Sequence, residues 1–193
     1  MSVLIAIPTF ETISPECFKA VYDLKGDGLS FEFVKGYDCA KARNEIVKKA
    51  LGGYEYVLMI DSDIIIPSDG LLHMLESPVD VCFGVYPRKN TKTGETELFK
   101  DGTFDFKNRY TIPELEGMDR DRVTVKGGGF GCALIRTEVF ENLDYPWFEF
   151  HSYENGTFLS EDLSFCCKAA VRYTLWADRR VRCGHIAKRV RYD

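Results

Sequence analysis

The sequence predicts an α/β fold in which helices flank a central, mostly parallel β-sheet. Along the first half, short apolar runs alternate with segments of helical spacing, which is the pattern of parallel strands joined by right-handed crossovers. The main apolar runs are continuous, as in strands that are buried on both faces. A length of 193 residues suffices for one domain and hardly for two, so residues 1–193 are predicted to form a single domain.

Composition and charge narrow the possible classes of protein. A hydrophobic content of 45% and a charged content of 28% are those of an ordinary globular protein, and a net charge of −5 argues against a nucleic-acid partner. No apolar run approaches the roughly 20 residues that span a bilayer, so no integral membrane segment and no signal peptide are expected. Seven cysteines without a Cys-x-x-Cys pair predict neither a zinc ribbon nor a full disulfide set, which favours a reduced, cytoplasmic protein.

The first elements are marked by apolar runs and helix caps. Val3–Ile7 is a continuous apolar strand, and Ser14-Pro15-Glu16 combines three residue types that are preferred at a helix start. Ser30–Lys35 alternates and predicts a second strand, with Phe31 and Phe33 pointing inward.

A second helix and the central strand follow. Asp38 is predicted to cap a helix that ends at Gly52-Gly53. The apolar run Tyr56–Ile60, bounded by these glycines and by turn signals from Pro67 onward, predicts a buried strand. A short helix over Asp69–Leu75 completes the first half.

The second half is predicted to be less regular. Val79–Tyr86 is a further buried strand, and Asp101-Gly102 is the turn of a hairpin over 98–106. Residues 107–122 have no clear period and predict a loop. The other predicted elements are a Gly-rich approach at 127–129 to a strand over 130–136, a helical turn at 137–143, a helix opening at Ser160, and two short strands within 174–186. The glycines at 127–129 fit a flexible turn or a backbone that passes close to a ligand. The aromatic cluster at 146–150 is expected to be core, and the alternative is a stacking wall for a sugar ring or a base.

An Asp-x-Asp motif, Asp61-Ser62-Asp63, follows the central strand directly. Ligands of open α/β sheets gather at the carboxyl ends of the strands, and side chains two apart on an extended segment point the same way. Two converging carboxylates repel each other unless a cation or a proton intervenes. Since Mg²⁺ and Mn²⁺ take carboxylates together with phosphate oxygens, the motif predicts a divalent-metal site that faces a diphosphate. The alternative is a solvated turn, where Asp is common.

The order of the motifs resembles a GT-A glycosyltransferase, closest to the broad family 2 group. The residues that carry the resemblance are Pro8-Thr9 after the first strand, the Ala42-Arg43-Asn44 helix, Asp61-Ser62-Asp63, the Gly129-Phe130-Gly131 strand, Ser160-Glu161-Asp162, and His185. The similarity covers nearly the whole chain, and it implies a GT-A fold with a nucleotide-sugar-binding half at 1–90 and an acceptor-side, catalytic half at 91–193.

The resemblance also implies roles for individual residues. Asp162 would be the catalytic base of an inverting reaction, with Glu161 orienting the acceptor. Asp61, Asp63 and His185 would hold the metal, Mn²⁺ or Mg²⁺. The donor-binding residues would be Pro8, Thr9, Arg43, Asp61, Ser62 and Gly129.

The chemistry of these residue types fits such a reaction. A metal can stabilise the charge of the departing diphosphate, and a positioned carboxylate can take the proton of an acceptor hydroxyl. Arg88, Lys89 or Lys188 can add positive charge over the phosphates. The expected donor is a nucleotide-sugar, with a UDP-sugar favoured and a GDP-sugar possible. The expected acceptor is a glycan, a lipid-linked molecule or a protein.

Several alternatives remain open at this point. The Gly-rich segment also fits a retaining GT-A glycosyltransferase, which lacks a dedicated base. A haloacid-dehalogenase-type phosphotransferase or a related nucleotidyltransferase is a rival enzyme. A non-catalytic module that binds a sugar-nucleotide or a glycan is the rival from another class, although such a module has no chemical need for two separate acidic pairs.

Overall fold

A computed structural model describes residues 1–10, 12–36, 38–76, 79–89, 94–153 and 158–186. The strands are β1 (Val3–Thr9), β2 (Leu29–Lys35), β3 (Tyr56–Ile60), β4 (Ile64–Ile65), β5 (Val81–Val85), β6 (Glu95–Phe99), β7 (Arg109–Thr111), β8 (Arg122–Val125), β9 (Gly127–Gly128), β10 (Cys132–Arg136), β11 (His151–Ser152), β12 (Phe158–Leu159), β13 (Leu175–Arg182) and β14 (Gly184–His185). The helices are α1 (Pro15–Tyr22), α2 (Cys39–Ala50), α3 (Gly70–Leu75), α4 (Ile112–Glu116), α5 (Thr137–Glu141) and α6 (Glu161–Ala169), with a 3₁₀ turn at Phe106–Asn108.

A seven-stranded sheet forms the centre of the domain, with the strand order β2-β1-β3-β10-β5-β13-β8. Strands β2, β1, β3, β5 and β13 run in one direction, and β10 and β8 run against them. The sheet is therefore mostly parallel and belongs to an α/β fold, as predicted. Strands from the second half of the chain pair directly with strands from the first half, since β10 lies between β3 and β5.

Both faces of the sheet are covered by apolar side chains. Successive residues of β3 alternate between the two core clusters: Val57 and Met59 belong to one, Leu58 and Ile60 to the other. Burial on both faces explains why the strands are apolar throughout. The seven cysteines are free thiols, and the buried ones fill the core as small apolar residues. Among the residues that the structure describes, no helix combines the length and the apolar character that crossing a bilayer requires.

Helix caps in the first half form as the sequence predicts. The Ser14 side chain accepts from Cys17 N at the start of α1, and the Asp38 side chain accepts from Lys41 N at the start of α2. Each cap satisfies a backbone donor that the first helical turn leaves without a partner, so these two boundaries are set locally.

The inward orientation predicted for Phe31 and Phe33 is wrong. The two residues are 47% and 44% exposed, so the aromatic face of β2 points away from the core. Strand β2 is an edge strand of the sheet, and Phe33 stacks on Phe18 of α1 with a centroid separation of 6.5 Å. The sequence shows the period of this strand correctly but not which of its faces meets the core.

The loop predicted for residues 107–122 is also wrong, because the segment contains β7, α4 and the start of β8. Thr111 and Glu114 form a reciprocal capping box around Pro113 at the start of α4. The predicted hairpin exists as β6 paired with β7, but residues 100–108 connect the two strands instead of a tight turn. The two strands predicted within 174–186 are the longer β13, whose register shifts after Asp178, and β14.

A buried asparagine joins α2 to the aromatic segment near Trp147. Asn44 Nδ2 donates to Ala40 O at 2.8 Å and to Phe148 O at 2.7 Å, and its Oδ1 accepts from Trp147 N at 3.0 Å and Phe148 N at 3.2 Å. Trp147 and Phe148 are buried, which confirms the predicted aromatic core cluster at these positions.

We expect Asn44→Ala to lower the free energy of unfolding by about 2–4 kcal/mol, because the buried backbone groups of the aromatic segment lose their partner. Urea unfolding monitored by tryptophan fluorescence measures this change. Asn142→Ala is the matched control, since Asn142 Nδ2 donates to Glu138 O at 2.9 Å in the same local geometry on an exposed surface. Equal losses in the two variants would contradict the anchoring role of Asn44.

Candidate active site

A cavity of about 830 Å³ lies at the carboxyl ends of the parallel strands. Asp61 at the end of β3 and Asp162 at the start of α6 both line it, together with His185. The other residues in its wall are Tyr86, Glu97, Phe99, Thr103, Phe104, Asp105, Arg109, Gly129, Phe158, Leu159, Ser160 and Leu163. This position is where open α/β sheets bind their ligands.

Asp61 and Asp63 do not lie on an extended segment, contrary to the geometry assumed from the sequence. The chain turns after β3, since Ile64 N donates to Asp61 O at 3.0 Å, while Asp61 N donates to Gly131 O at 3.0 Å. As a result the Asp61 carboxylate accepts a hydrogen bond from Arg43 Nη2 at 3.1 Å, and the Asp63 carboxylate has different partners. Burial raises the pKa of the Asp61 carboxyl, and the charge of Arg43 opposes that rise.

Asp63 lies beside His185 and Lys89. His185 comes next to it because β14 pairs with β4, and Ile186 N donates to Asp63 O at 2.9 Å. His185 Nδ1 donates to Pro87 O at 2.8 Å, so Nε2 faces Asp63 at 3.8 Å from Oδ1. The other Asp63 oxygen forms an ion pair with Lys89 Nζ.

The donor atoms at this position fit the chemistry of a divalent cation. A metal-ligating histidine commonly donates its other ring N–H to a backbone carbonyl, as His185 does to Pro87, and imidazole nitrogen and carboxylate oxygen are both acceptable ligands for Mn²⁺. Within the described ranges, no three acidic, histidine or cysteine side chains converge closely enough to hold an ion. The second Asp63 oxygen is paired with the Lys89 ammonium instead.

Arg43 lies beneath the cavity and not in its wall. Its side chain is 3% exposed, with Nη2 at 3.1 Å from Asp61, Nε at 3.1 Å from Asp162 and Nε at 3.6 Å from Glu161. The guanidinium also lies over the Phe130 ring, 5.4 Å from its centroid. Burial opposes the charge of Arg43, but the three carboxylates together raise its pKa above the ordinary value. Arg43 thus connects the two acidic pairs, and the donor contact implied for it stays a prediction.

One carboxylate oxygen of Asp162 accepts a hydrogen bond from the backbone. Its Oδ2 accepts from Phe130 N at 3.1 Å, and its Oδ1 faces Arg43. Burial raises the pKa of the Asp162 carboxyl to about 6, although Arg43 lowers it, and Glu161 adds to the rise. Asp162 is therefore ionised at neutral pH and is a stronger base than an ordinary aspartate.

Glu161 does not line the cavity. It is buried in the first turn of α6, where its carboxylate pairs with Arg43, so a direct contact with an acceptor is not available to it. Pro8 and Thr9 end β1 next to the start of the Asp-x-Asp turn, because the pairing of β1 with β3 reaches Ala6 and Met59.

Ser62 lies inside the turn, and its carbonyl accepts from Ser14 N at 3.1 Å, which ties the turn to the start of α1. Pro8, Thr9 and Ser62 are not among the residues that line the large cavity. Donor binding by these three residues stays a prediction.

The glycines before β10 allow a close approach to Tyr86. A Cβ atom on Gly129 would lie 2.5 Å from the Tyr86 hydroxyl, and one on Gly131 would lie 2.7 Å from Tyr86 Cζ. Gly131 N donates to the Tyr86 hydroxyl at 3.0 Å. Both glycines therefore give Tyr86 room against the backbone, and Gly129 also lines the cavity.

Sequence reasoning missed several residues of the cavity wall. Tyr86, Glu97, Phe104 and Arg109 lie at a strand end or in the segment from 94 to 111, and of these only Tyr86 had a signal, as the last residue of a predicted buried strand. Arg88, expected over phosphates, pairs with Glu97 at 2.9 Å and Glu95 at 3.4 Å. Lys188, expected in the same role, lies outside the described residues.

The mostly parallel sheet, with acidic side chains gathered at its carboxyl edge, is the arrangement expected of a GT-A-type glycosyltransferase. The model of glycosyl transferase family 2 matches residues 19–144, more than half of the chain. The chain belongs to glycosyl transferase family 2 and is a glycosyltransferase. No curated protein matches it in sequence.

Solved structures show the same fold at low sequence identity. The structure of A197 from STIV has a TM-score of 0.68 and 16% identity, over 97% of this chain and 87% of that one. S. aureus TarS 1-349 in complex with UDP-GlcNAc has a TM-score of 0.60 and 14% identity, over 99% and 60%. GalNAc-T7 with UDP, GalNAc and Mn²⁺ has a TM-score of 0.67 and 11% identity, over 96% and 44%. The chain thus aligns with less than two thirds of the TarS fragment and of GalNAc-T7.

We expect Arg43→Met to lower the free energy of unfolding at pH 7 by about 3–5 kcal/mol, because it leaves buried carboxylates without their cation. The loss relative to the wild type should shrink at pH 5.5. Without Arg43 the pKa values of these carboxyls rise further, so acid neutralises them in the folded state. Urea unfolding at the two pH values measures both effects.

Arg182→Met is the control for this variant, since Arg182 pairs with Glu116 at 2.9 Å on the surface, where the change should be within about 0.5 kcal/mol. A loss in Arg43→Met that is no larger than the control, or that grows on acidification, would contradict the role assigned to Arg43.

Proposed function

We propose that the protein is a metal-dependent, inverting glycosyltransferase that moves a sugar from a nucleotide-diphosphate donor to an acceptor hydroxyl. The observation that carries the proposal is that the same side chain holds both Asp61 and Asp162. Both line one cavity, and both are held from below by Arg43. Because one buried side chain holds both carboxylates, Asp61 on the donor side and the base Asp162 keep a fixed position relative to each other, as a reaction between two bound substrates requires.

Asp162 is proposed as the general base. It lies in the cavity wall, its Oδ2 is oriented by Phe130 N, and its raised pKa of about 6 lies close to neutral pH, where a base is both ionised and strong. A carboxylate in this position can take the proton of an acceptor hydroxyl as the hydroxyl oxygen attacks the anomeric carbon of the donor sugar. A dedicated base of this kind favours inversion over retention.

Glu161 and Arg43 are proposed as positioning residues. Glu161 shares the Arg43 guanidinium with Asp162, so that the charge of Arg43 is divided among the carboxylates around it. This division leaves Asp162 basic, because a guanidinium paired to Asp162 alone would lower the pKa of that carboxyl further.

Asp63 and His185, with Asp61 nearby, are the residues proposed to hold Mn²⁺ or Mg²⁺. A divalent ion there would supply Lewis-acid stabilisation to the leaving diphosphate. Lys89 would have to leave the Asp63 carboxylate for that oxygen to hold a metal, and its ammonium could then contact a phosphate.

A UDP-sugar is the favoured donor, and a GDP-sugar is the second candidate. Support comes from the titles of two similar structures, TarS with UDP-GlcNAc and GalNAc-T7 with UDP, GalNAc and Mn²⁺. The free thiol state of all the cysteines supports the proposal of a reducing, cytoplasmic location.

Donor and metal binding can be tested with a thermal-shift panel of UDP, GDP, dTDP and CMP sugars, each with and without Mn²⁺. We expect one nucleotide to raise the melting temperature only in the presence of Mn²⁺, because ligand binding to the native state stabilises it. Asp63→Ala should abolish this shift.

Asp69→Ala, an exposed aspartate at the start of α3, should keep the shift and is the matched control. A shift that is independent of metal, or that survives in Asp63→Ala, would argue against the proposed metal site. The absence of a shift with every nucleotide would argue against the donor class.

We expect Asp162→Asn to reduce transfer by about 10²- to 10⁴-fold while donor binding is kept, since the amide cannot accept the proton. In the wild type, kcat/KM should fall as the pH drops through about 6, where Asp162 becomes protonated. Initial rates across pH and the anomeric configuration of the product by NMR are the measurements.

Asp69→Asn is the control, because Asp69 is exposed at the start of α3 and is not among the residues that line the cavity. A product of retained configuration, or near-normal turnover in Asp162→Asn, would remove the base from the proposal.

A further inference from the structure

We call the part of the cavity wall that is formed by phenylalanine side chains its aromatic end. Phe99 and Phe104 come from β6 and its connection to β7, and Phe158 comes from β12. Phe99 and Phe104 meet edge to face with centroids 5.4 Å apart. Phe158 stacks on Phe150 at 5.6 Å with an interplanar angle of 21°. The proposed donor and metal chemistry uses none of these rings.

Phe104 is held in a backbone conformation that a bulky residue rarely adopts. Its φ is 53°, and in the described part of the chain it is the residue other than glycine with positive φ. Such a conformation is unfavourable for a residue with a Cβ atom and is found where the surrounding structure enforces it, often at ligand sites.

The absence of a side chain on Gly127 lets the Phe104 ring lie directly against the backbone. A Cβ atom on Gly127 would lie 2.6 Å from Phe104 Cε1 and 3.1 Å from Leu163 Cδ2. The ring therefore lies against bare backbone, next to the residue that follows Asp162. The aromatic ring thus packs against Phe99 and Gly127 and also forms part of the cavity wall.

Phe158 stays largely exposed although it stacks on Phe150. Its side chain is 61% exposed, although it lines the cavity. A phenylalanine left in water at the wall of a cavity offers a flat apolar face to whatever enters.

The polar groups at this end carry balanced charge. Arg109 Nη2 lies 3.0 Å from Glu97 Oε2, its guanidinium lies over the Phe99 ring at 4.6 Å, and Arg88 shares the same glutamate at 2.9 Å. Both arginines are thus committed to carboxylates. Asp105 adds a negative charge to the wall, so an anionic ligand would meet no uncommitted cation among the described residues of the cavity wall.

We propose that this aromatic end, made by Phe104 and Phe158, is the acceptor subsite and that its ligand is a neutral saccharide. A pyranose ring has an apolar C–H face that stacks on aromatic rings and hydroxyl groups at its edge that hydrogen-bond to carboxylates such as Glu97 and Asp105. A phosphate-bearing or uronic-acid acceptor is disfavoured by the charge of the wall. This inference rests on the proposed function, because it places a sugar hydroxyl next to Asp162.

The test is saccharide binding to the full-length protein in the presence of UDP and Mn²⁺, measured by saturation-transfer NMR and titration. The probes are the neutral disaccharides cellobiose, maltose, lactose and chitobiose, with methyl glucuronide and glucose 6-phosphate as anionic counterparts. We expect at least one neutral saccharide to bind and both anions to bind more weakly. Phe104→Ala and Phe158→Ala should each weaken that binding roughly tenfold, and Phe104→Tyr should preserve it.

Phe33→Ala is the matched control, because Phe33 is an exposed aromatic residue on the edge strand β2. Phe158→Ala removes an exposed ring, so it stays informative if Phe104→Ala fails to fold. Binding by none of the neutral saccharides, preferred binding of an anion, or affinity unchanged in Phe104→Ala and Phe158→Ala would each overturn the inference. If the wild type still shows the melting-temperature shift with a UDP-sugar in those cases, the proposed function stands without this inference. If the wild type shows no such shift, the result counts against the proposed function itself.

Discussion

The buried guanidinium of Arg43 is the interaction on which the site depends. Taking a charge out of water costs several kcal/mol unless ion pairs and hydrogen bonds compensate, and Arg43 is compensated by carboxylates from two distant parts of the chain. Glu161 and Asp162 could not be buried to this extent without the cation, and the cation could not be buried without carboxylates around it. The neighbouring Asn44 makes the same helix an anchor for the aromatic segment, so α2 fixes both the charges and the core beside them.

The turn after β3 gives the two aspartates of the Asp-x-Asp motif different partners. Asp61 is directed to Arg43, so its charge is bound to the interior, whereas Asp63 is directed to His185 and Lys89 at the rim. The hydrogen bond from Ile64 N to Asp61 O produces this difference within three residues. A carboxylate whose partner is a flexible lysine can exchange it for another cation, whereas a carboxylate paired to a buried arginine keeps that partner and has only its other oxygen for a further cation.

Local signals in the sequence predicted the fold well, and they predicted the site less completely. The caps at Ser14 and Asp38 and the apolar run of β3 depend on neighbouring residues only, and each is confirmed. The outward face of Phe31 and Phe33 depends on which side of an edge strand meets the core, which an alternating pattern does not encode. The burial of Arg43 depends on carboxylates that come from residues 61, 161 and 162, so no window of sequence around it contains the cause.

The antiparallel direction of β10 explains why the groups meet at one edge. A strand that runs against its neighbours begins where they end, so the residues before β10 lie at the carboxyl ends of β3 and β5. There Gly131 O accepts from Asp61 N, Gly131 N donates to the Tyr86 hydroxyl, and Phe130 N donates to Asp162. A parallel strand in the same position would bring its opposite end to this edge and leave these donors on the far side of the sheet. The reversal of one strand thus gives a short glycine-rich segment contact with both acidic pairs.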